Sequence, residues 1–275
     1  MLAEQSLRDG DVVASLHQLK EQVKVDPANA KLRVFLFQLL SIQGEWNRAL
    51  TQLNVSGELD ASTLAMVQTY REALQCEAYR AEVFSGKKPP HFFGKPEEWM
   101  ALCVEALGHA TQGRSQQAAD LLARAYESAP ATTGTINGEG FEWIADADSR
   151  LGPFLEAVIS STYYWVPFNR IHRIDIEEPE DLRDMVWAPA HFTWANGGEV
   201  VGLIPTRYPG TEFSEDPLIQ LARKTEWLDQ GDEQFFGLGQ RILATDMNDY
   251  PILEVRDIVL QTDEASDEQT IADGQ

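Results

Sequence analysis

In the first half of the chain the apolar positions fall at helical spacing and return in register. Leu32, Phe35, Leu36, Leu39 and Leu40 make one apolar face, Gly44 interrupts it, and Trp46, Ala49, Leu50 and Leu53 make a second. This predicts two helices joined by a tight turn, with Gly44 supplying the positive φ and the small Ala49 allowing close approach. The stretch Val25-Asp26-Pro27-Ala28-Asn29-Ala30 reads as the link between two such units. Gly10 lies 34 residues before Gly44, Gly113 lies 69 after it, and Pro27 and Pro130 are 103 apart. These spacings are close to one, two and three periods of the ~34-residue tetratricopeptide repeat. A last unit starts at Pro96 with Glu97 and Glu98, acids that the dipole of a first helical turn favours. It turns at Gly113 and runs through Ala118, Leu121, Leu122 and Ala125 to Pro130. Between these units, residues 62–84 read as one long helix or a helix pair, ended by Gly86-Lys87-Lys88-Pro89-Pro90.

After Gly138 and Gly140 the spacing shortens. Phe154, Leu155, Val158 and Ile159 predict a short helix starting near Pro153. Strand-like runs follow at 163–166, 171–176 and 185–187, with a helix start at Glu178-Pro179-Glu180-Asp181. Residues 191–194 are expected to pair with 199–204 across Asn196-Gly197-Gly198, a good hairpin turn. Further strands are expected at 225–228, 240–244 and 255–260. The fold class is therefore α+β. A helical repeat domain is expected over residues 1–132, a compact strand-rich α+β domain over 133–260, and a disordered acidic tail over 261–275.

Charge sharpens this division. The chain of 275 residues has a net charge of −22. Residues 1–130 hold 13 Lys/Arg against 16 Asp/Glu, whereas residues 131–260 hold 9 against 23. The tail has five acids and no base, with little apolar surface to bury. Nucleic acid is disfavoured as a partner, because phosphate binding needs clustered cations, and an anionic membrane surface is disfavoured for the same reason. The two cysteines, Cys76 and Cys103, make no disulfide framework and suit a reducing compartment. Arg8, Asp9 and Asp11 interrupt the stretch where a signal peptide needs an apolar run, and the longest apolar run, residues 34–42, is too short to span a bilayer. A cytoplasmic location is expected.

Little in the sequence asks for catalysis. Asp146 and Asp148 open like a calcium loop, but Arg150 and Leu151 stand where that loop needs an oxygen ligand and glycine. Pairing with Arg150, or holding a turn, is the plainer role for these carboxylates, and an acid pair for hydrolysis is the sharper alternative. Gly237-Leu238-Gly239 lacks the third glycine of a dinucleotide loop, since Ile242 occupies its place. The five histidines have no metal-ligand spacing, and neither a metal nor a cofactor is expected. Stacked helix pairs instead form a groove suited to a peptide or helix. Trp143, Trp165, Trp187, Trp194 and Trp227 all fall in the second half. Most are expected in the core, and any left exposed beside Arg150, Arg183 or Arg207 would be a candidate interface anchor.

Five strings in the second half carry a more specific message. They are residues 141–153 (FEWIADADSRLGP), Leu182-Arg183-Asp184 with Trp187-Ala188-Pro189-Ala190, and Pro205-Thr206-Arg207-Tyr208-Pro209-Gly210. The others are Leu221-Ala222-Arg223-Lys224-Thr225-Glu226-Trp227 and Gly237-Leu238-Gly239-Gln240-Arg241. In this order they resemble the ImpE/SciE family, also called TagJ, over about residues 1–260. The resemblance implies a non-enzymatic accessory protein of bacterial type VI secretion that grips the N-terminal helix of the small subunit of the contractile sheath. It transfers no catalytic residue. The partner-binding candidates are Trp143, Asp146, Asp148, Arg150, Trp165, Arg183, Arg207, Tyr208, Trp227 and Arg241. The alternatives are a general repeat-type chaperone or scaffold for another secretion partner, and a hydrolase using Asp146 and Asp148.

Overall fold

The computed structural model describes residues 2–262. The acidic tail expected over 261–275 lies, from residue 263 onward, outside the described residues. The N-terminal half opens with α1 (Leu2–Arg8), α2 (Val12–Val25), α3 (Ala30–Ile42), α4 (Trp46–Leu59) and α5 (Leu64–Phe84). Two of these helices start on a side-chain acceptor, which satisfies an N–H group that the helix itself leaves unpaired. Asp11 accepts from the Ala14 amide at 2.8 Å at the head of α2, and Asn29 from the Leu32 amide at 3.3 Å at the head of α3. Gly10 and Gly44, one repeat apart, turn the chain at φ +86° and +67°. α1 packs on α2 and α3 on α4 as hairpins, whereas residues 64–84 form one long helix and not a pair.

A two-residue strand β1 (His91–Phe92) separates α5 from the last hairpin, α6 (Glu98–Ala110) and α7 (Ser115–Ser128). Strands then dominate: β2 (Gly134–Ile136), β3 (Glu139–Phe141), β4 (Ile144–Asp146), β5 (Phe154–Ile159), β6 (Thr162–Pro167), β7 (Ile171–Ile176), β8 (Trp187–Trp194) and β9 (Glu199–Pro205). A short helix α8 (Pro217–Gln220) precedes β10 (Thr225–Asp229), β11 (Phe235–Gly239), β12 (Ile242–Thr245), β13 (Asp249–Pro251) and β14 (Asp257–Leu260). Nine strands form one sheet in the order β1-β6-β5-β9-β8-β7-β14-β2-β3, antiparallel except where β1 lies parallel to β6. β13-β12-β4 form a second sheet, and β10-β11 a two-stranded ribbon.

Three local expectations change. The helix expected at Pro153 is the strand β5. Phe154 and Val158 face the helices, while Leu155, Ala157 and Ile159 face the opposite core. A strand buried on both faces loses its polar alternation, and its apolar spacing then imitates a helix. Residues 182–185 form a 3-10 turn, closed by reciprocal bonds between Asp181 and Asp184, so the strand there starts only at Trp187. Residues 240–241 and 255–256 likewise precede β12 and β14. The expected hairpin is present as β8 and β9, with Thr193 opposite Glu199 and His191 opposite Val201.

The main sheet has a core on each side. Phe154, Val158, Tyr163, Trp165, Trp187 and Leu203 on one face merge with Phe37, Tyr70, Trp99 and Met100 of the helices. The other face packs Leu155, Ile174, Phe192 and Ile258 against Leu243 and Ile252. Trp187 is fully buried between the two halves, with its ring 5.9 Å from those of Trp46 and Tyr70. The side of α3 and α5 that carries Phe37 and Tyr70 is thus occupied by the chain's own sheet.

Candidate functional site

The seam between helices and sheet is polar at its centre. Glu156 sits in the middle of β5 with no exposure, and Arg80 reaches it from α5. Two parallel bonds join them, Nε to Oε1 at 2.6 Å and Nη2 to Oε2 at 2.9 Å, the fork geometry that makes arginine–carboxylate pairs strong. Arg241 donates to Glu156 and to Asp146, and Tyr163 donates its hydroxyl to Glu156. Trp165 donates its indole N–H to that hydroxyl at 2.8 Å. Glu77, one turn before Arg80, accepts from the Trp187 indole at 2.8 Å.

From Asp146 the network continues through the loop after β4. Asp146 also accepts from the Asp148 amide at 2.9 Å and from the Tyr208 hydroxyl at 3.1 Å. Asp148 accepts from the Arg150 amide, from the Arg150 guanidinium and from the Gly237 amide at 2.7 Å. Arg207 is aimed at the end of α3, where it donates to the carbonyls of Ile42 at 2.9 Å and Ser41 at 3.3 Å. These are among the carbonyls that a helix end leaves without partners. Its own carbonyl accepts from Arg80 at 2.8 Å.

Electrostatics follow from this burial. Four carboxylates (Glu77, Asp146, Asp148, Glu156) meet four guanidiniums (Arg80, Arg150, Arg207, Arg241), so the seam is balanced. Burial opposes ionisation of Glu156, but Arg80 and Arg241 outweigh it and hold its carboxyl down to about 2. At Asp146 burial wins over Arg241 and pushes the carboxyl up to about 6. Burial likewise raises the Glu77 carboxyl and lowers the Arg207 guanidinium to about 10.

The ten candidate residues therefore separate into groups. Asp146, Asp148, Arg150, Tyr208 and Arg241 converge in this network, with Trp165 and Arg207 at its margins. All but Arg150 are buried, and the Arg150 side chain retains 11% exposure. Asp146 and Asp148 are both buried, and their carboxylates accept from Arg241, Tyr208, Arg150 and the Gly237 amide. Three candidates are accessible. Trp143 lies between β3 and β4, Trp227 packs on Tyr208 at 5.7 Å from the ribbon, and Arg183 covers the Tyr70 ring at 4.9 Å. Arg80, Glu77 and Glu156 were not among the candidates. Glu156 has a sequence signal, being the single charge within an otherwise apolar strand, while Arg80 and Glu77 look like ordinary helix charges three apart.

Among the described residues no group of three or more His, Cys, Asp or Glu is placed to hold a metal ion. No described helix is long and apolar enough to cross a membrane. The fold is similar to the crystal structure of protein VPA1032 from Vibrio parahaemolyticus, with a TM-score of 0.86 and 25% identity over 96% of this chain and 98% of that one. A family model described as ImpE protein matches residues 138–259, the stretch that holds all ten candidates. The chain is also 45% identical over 265 residues to the type VI secretion system accessory component TagJ of Pseudomonas aeruginosa, covering 96% of this chain and 93% of that protein. A match of that length, spanning both the helical half and the strands that lock onto it, makes this chain a member of the ImpE family.

Proposed function

We propose that this chain is a cytoplasmic, non-enzymatic accessory protein of a type VI secretion system that binds the N-terminal helix of the small subunit of the contractile sheath. The observation that carries the accessory role is the 45% identity to an accessory component of that system over nearly the whole of both chains. The helix as ligand is what the family resemblance implies, and a groove beside packed helices suits an amphipathic segment. The acidic second half favours a basic or mixed-charge partner and a rate of encounter that falls as salt rises.

Titration calorimetry of the full chain with a synthetic peptide of that N-terminal helix tests the reading. A saturable one-to-one isotherm is expected, weakened by salt and lost when a proline breaks the peptide helix. Absence of heat, together with absence of co-elution with the full-length subunit, would refute it.

A further inference from the structure

The helix-facing side of the sheet is wider than the helices that cover it. Register places Val158 opposite Leu203, Leu203 opposite Pro189, and Val201 opposite His191, so all of these point to the same face. The half of that face nearest β6 lies beneath α5 and joins the shared core. Towards the β8–β9 turn the cover ends. There the sheet and the first turns of α5 diverge around an open cleft of about 720 Å³.

Its floor is mainly apolar, made by Val158, Pro189 and Val201 with His191 beside them, and Met66 of α5 adds an apolar wall. Val201 is 72% exposed, where the face passes from the buried Leu203 to the half-exposed His191 and the exposed Glu199. The rim is acidic. Glu72 and Glu177 line the cleft with no ion pair among the described residues, and Glu177 begins a segment with acids at 178, 180, 181 and 184. The single arginine in the lining, Arg183, is already engaged by Asp181 at 2.9 Å.

We propose that this cleft seats one face of an amphipathic helix that carries Lys or Arg beside its apolar stripe. The assignment rests on the helix-binding reading above and gives it a location. Charge complementarity selects the partner: a mainly apolar floor edged by Glu177 and by Glu72, which accepts from the neutral Gln68 side-chain amide at 2.7 Å, accommodates an apolar stripe flanked by cations and repels an acidic one. The floor is the face of the sheet, and β8 is paired on both edges, so the cleft offers side chains and no free backbone ladder. That favours a helix over an added strand. A helix lying on this floor would present one face, with apolar anchors at i, i+3 or i+4, and i+7.

Calorimetry with the same sheath-subunit peptide and full-length variants tests the location. Val201→Glu places a charge on the floor at an exposed position, and Glu72→Lys with Glu177→Lys reverses the rim. Each is expected to weaken binding at least tenfold with an unchanged melting temperature, and the rim variant also to lose the salt dependence. Val25→Glu, at an 87% exposed position on α2, serves as the control and is expected to stay within twofold of wild type. If wild type binds and Val201→Glu binds equally well, the cleft is not the site and the helix-binding function stands. If wild type does not bind the peptide, the functional reading fails and the assignment falls with it.

Discussion

Replacing Glu156 by Gln removes the one carboxylate that Arg80 and Arg241 share, while keeping its shape. Both guanidiniums are buried, and they would then face each other with Asp146 and Glu77 as their remaining counter-charges. The gap between about 2 and the ordinary 4.5 for the Glu156 carboxyl corresponds to about 3 kcal/mol of preference for the ionised form. Breaking a buried ion pair by removing one partner costs about 3–5 kcal/mol in general, so the two figures agree. For a chain of this size about 3 kcal/mol lowers the melting temperature by about 6–12 °C.

The pH dependence gives the same argument a sign. The folded-state value is depressed, so the contribution is complete above the unfolded value of 4.5 and is lost as pH falls toward 2. Between pH 7 and pH 3.5 the difference between wild type and Glu156→Gln should narrow by roughly two-fifths. Thermal unfolding followed by circular dichroism at both pH values measures it. A drop of less than about 2 °C at pH 7 would overturn this account, because it would mean that the two buried guanidiniums do not depend on Glu156 for their compensation.

Trp187→Ala removes a fully buried indole and the N–H donor of Glu77, so a loss of at least about 3–5 kcal/mol is expected, seen as a fall in melting temperature and soluble yield. Trp143→Ala, at a 41% exposed position, should change stability by no more than about 0.5 kcal/mol in the same measurement. Gly239→Ala would force a side chain onto a φ of +99° with its Cβ 2.0 Å from the Lys224 carbonyl. A loss of about 2 kcal/mol or more is expected, and an unchanged urea midpoint would contradict the close approach of β11 to that carbonyl. Burial pushes both the Cys76 and the Cys103 thiol up to about 12. A chromogenic disulfide reagent at pH 8 should therefore find no reactive thiol in the native chain within minutes and two after unfolding in guanidinium.

The helical half was legible because each hairpin has a single apolar stripe, an adjacent polar face and a turn glycine at a fixed offset. β5 was not, because apolar residues on both of its faces erase the alternation that marks a strand. β1 was not legible either. His91 and Phe92 are a strand only because Tyr164 and Trp165 lie beside them, and nothing local encodes a partner seventy residues away. The same limit applies at the seam. The motif strings singled out Asp146, Asp148, Arg150, Tyr208 and Arg241, but periodicity along α5 could not show that Arg80 points at Glu156 and not at solvent. Arg183 and Trp143 shared a motif class with the buried group while standing elsewhere, since order along the chain does not report burial.

The position of β14 has a consequence for how the molecule is made. The last described strand is not at an edge; it is inserted between β7 and β2, with Ile258 opposite both Ile174 and Ile136. Until it emerges, β7 and β2 each present an open row of backbone donors and acceptors, the kind of edge that recruits other chains. At about 5–20 residues per second, the interval between completing β7 and supplying β14 lasts several seconds on the ribosome. Throughout that window the helical half is already synthesised, yet the sheet that must cover it is still split. Premature termination anywhere before residue 257 would leave a sticky, unsealed product, so quality control would meet incomplete chains as aggregates or protease substrates and not as shortened working copies.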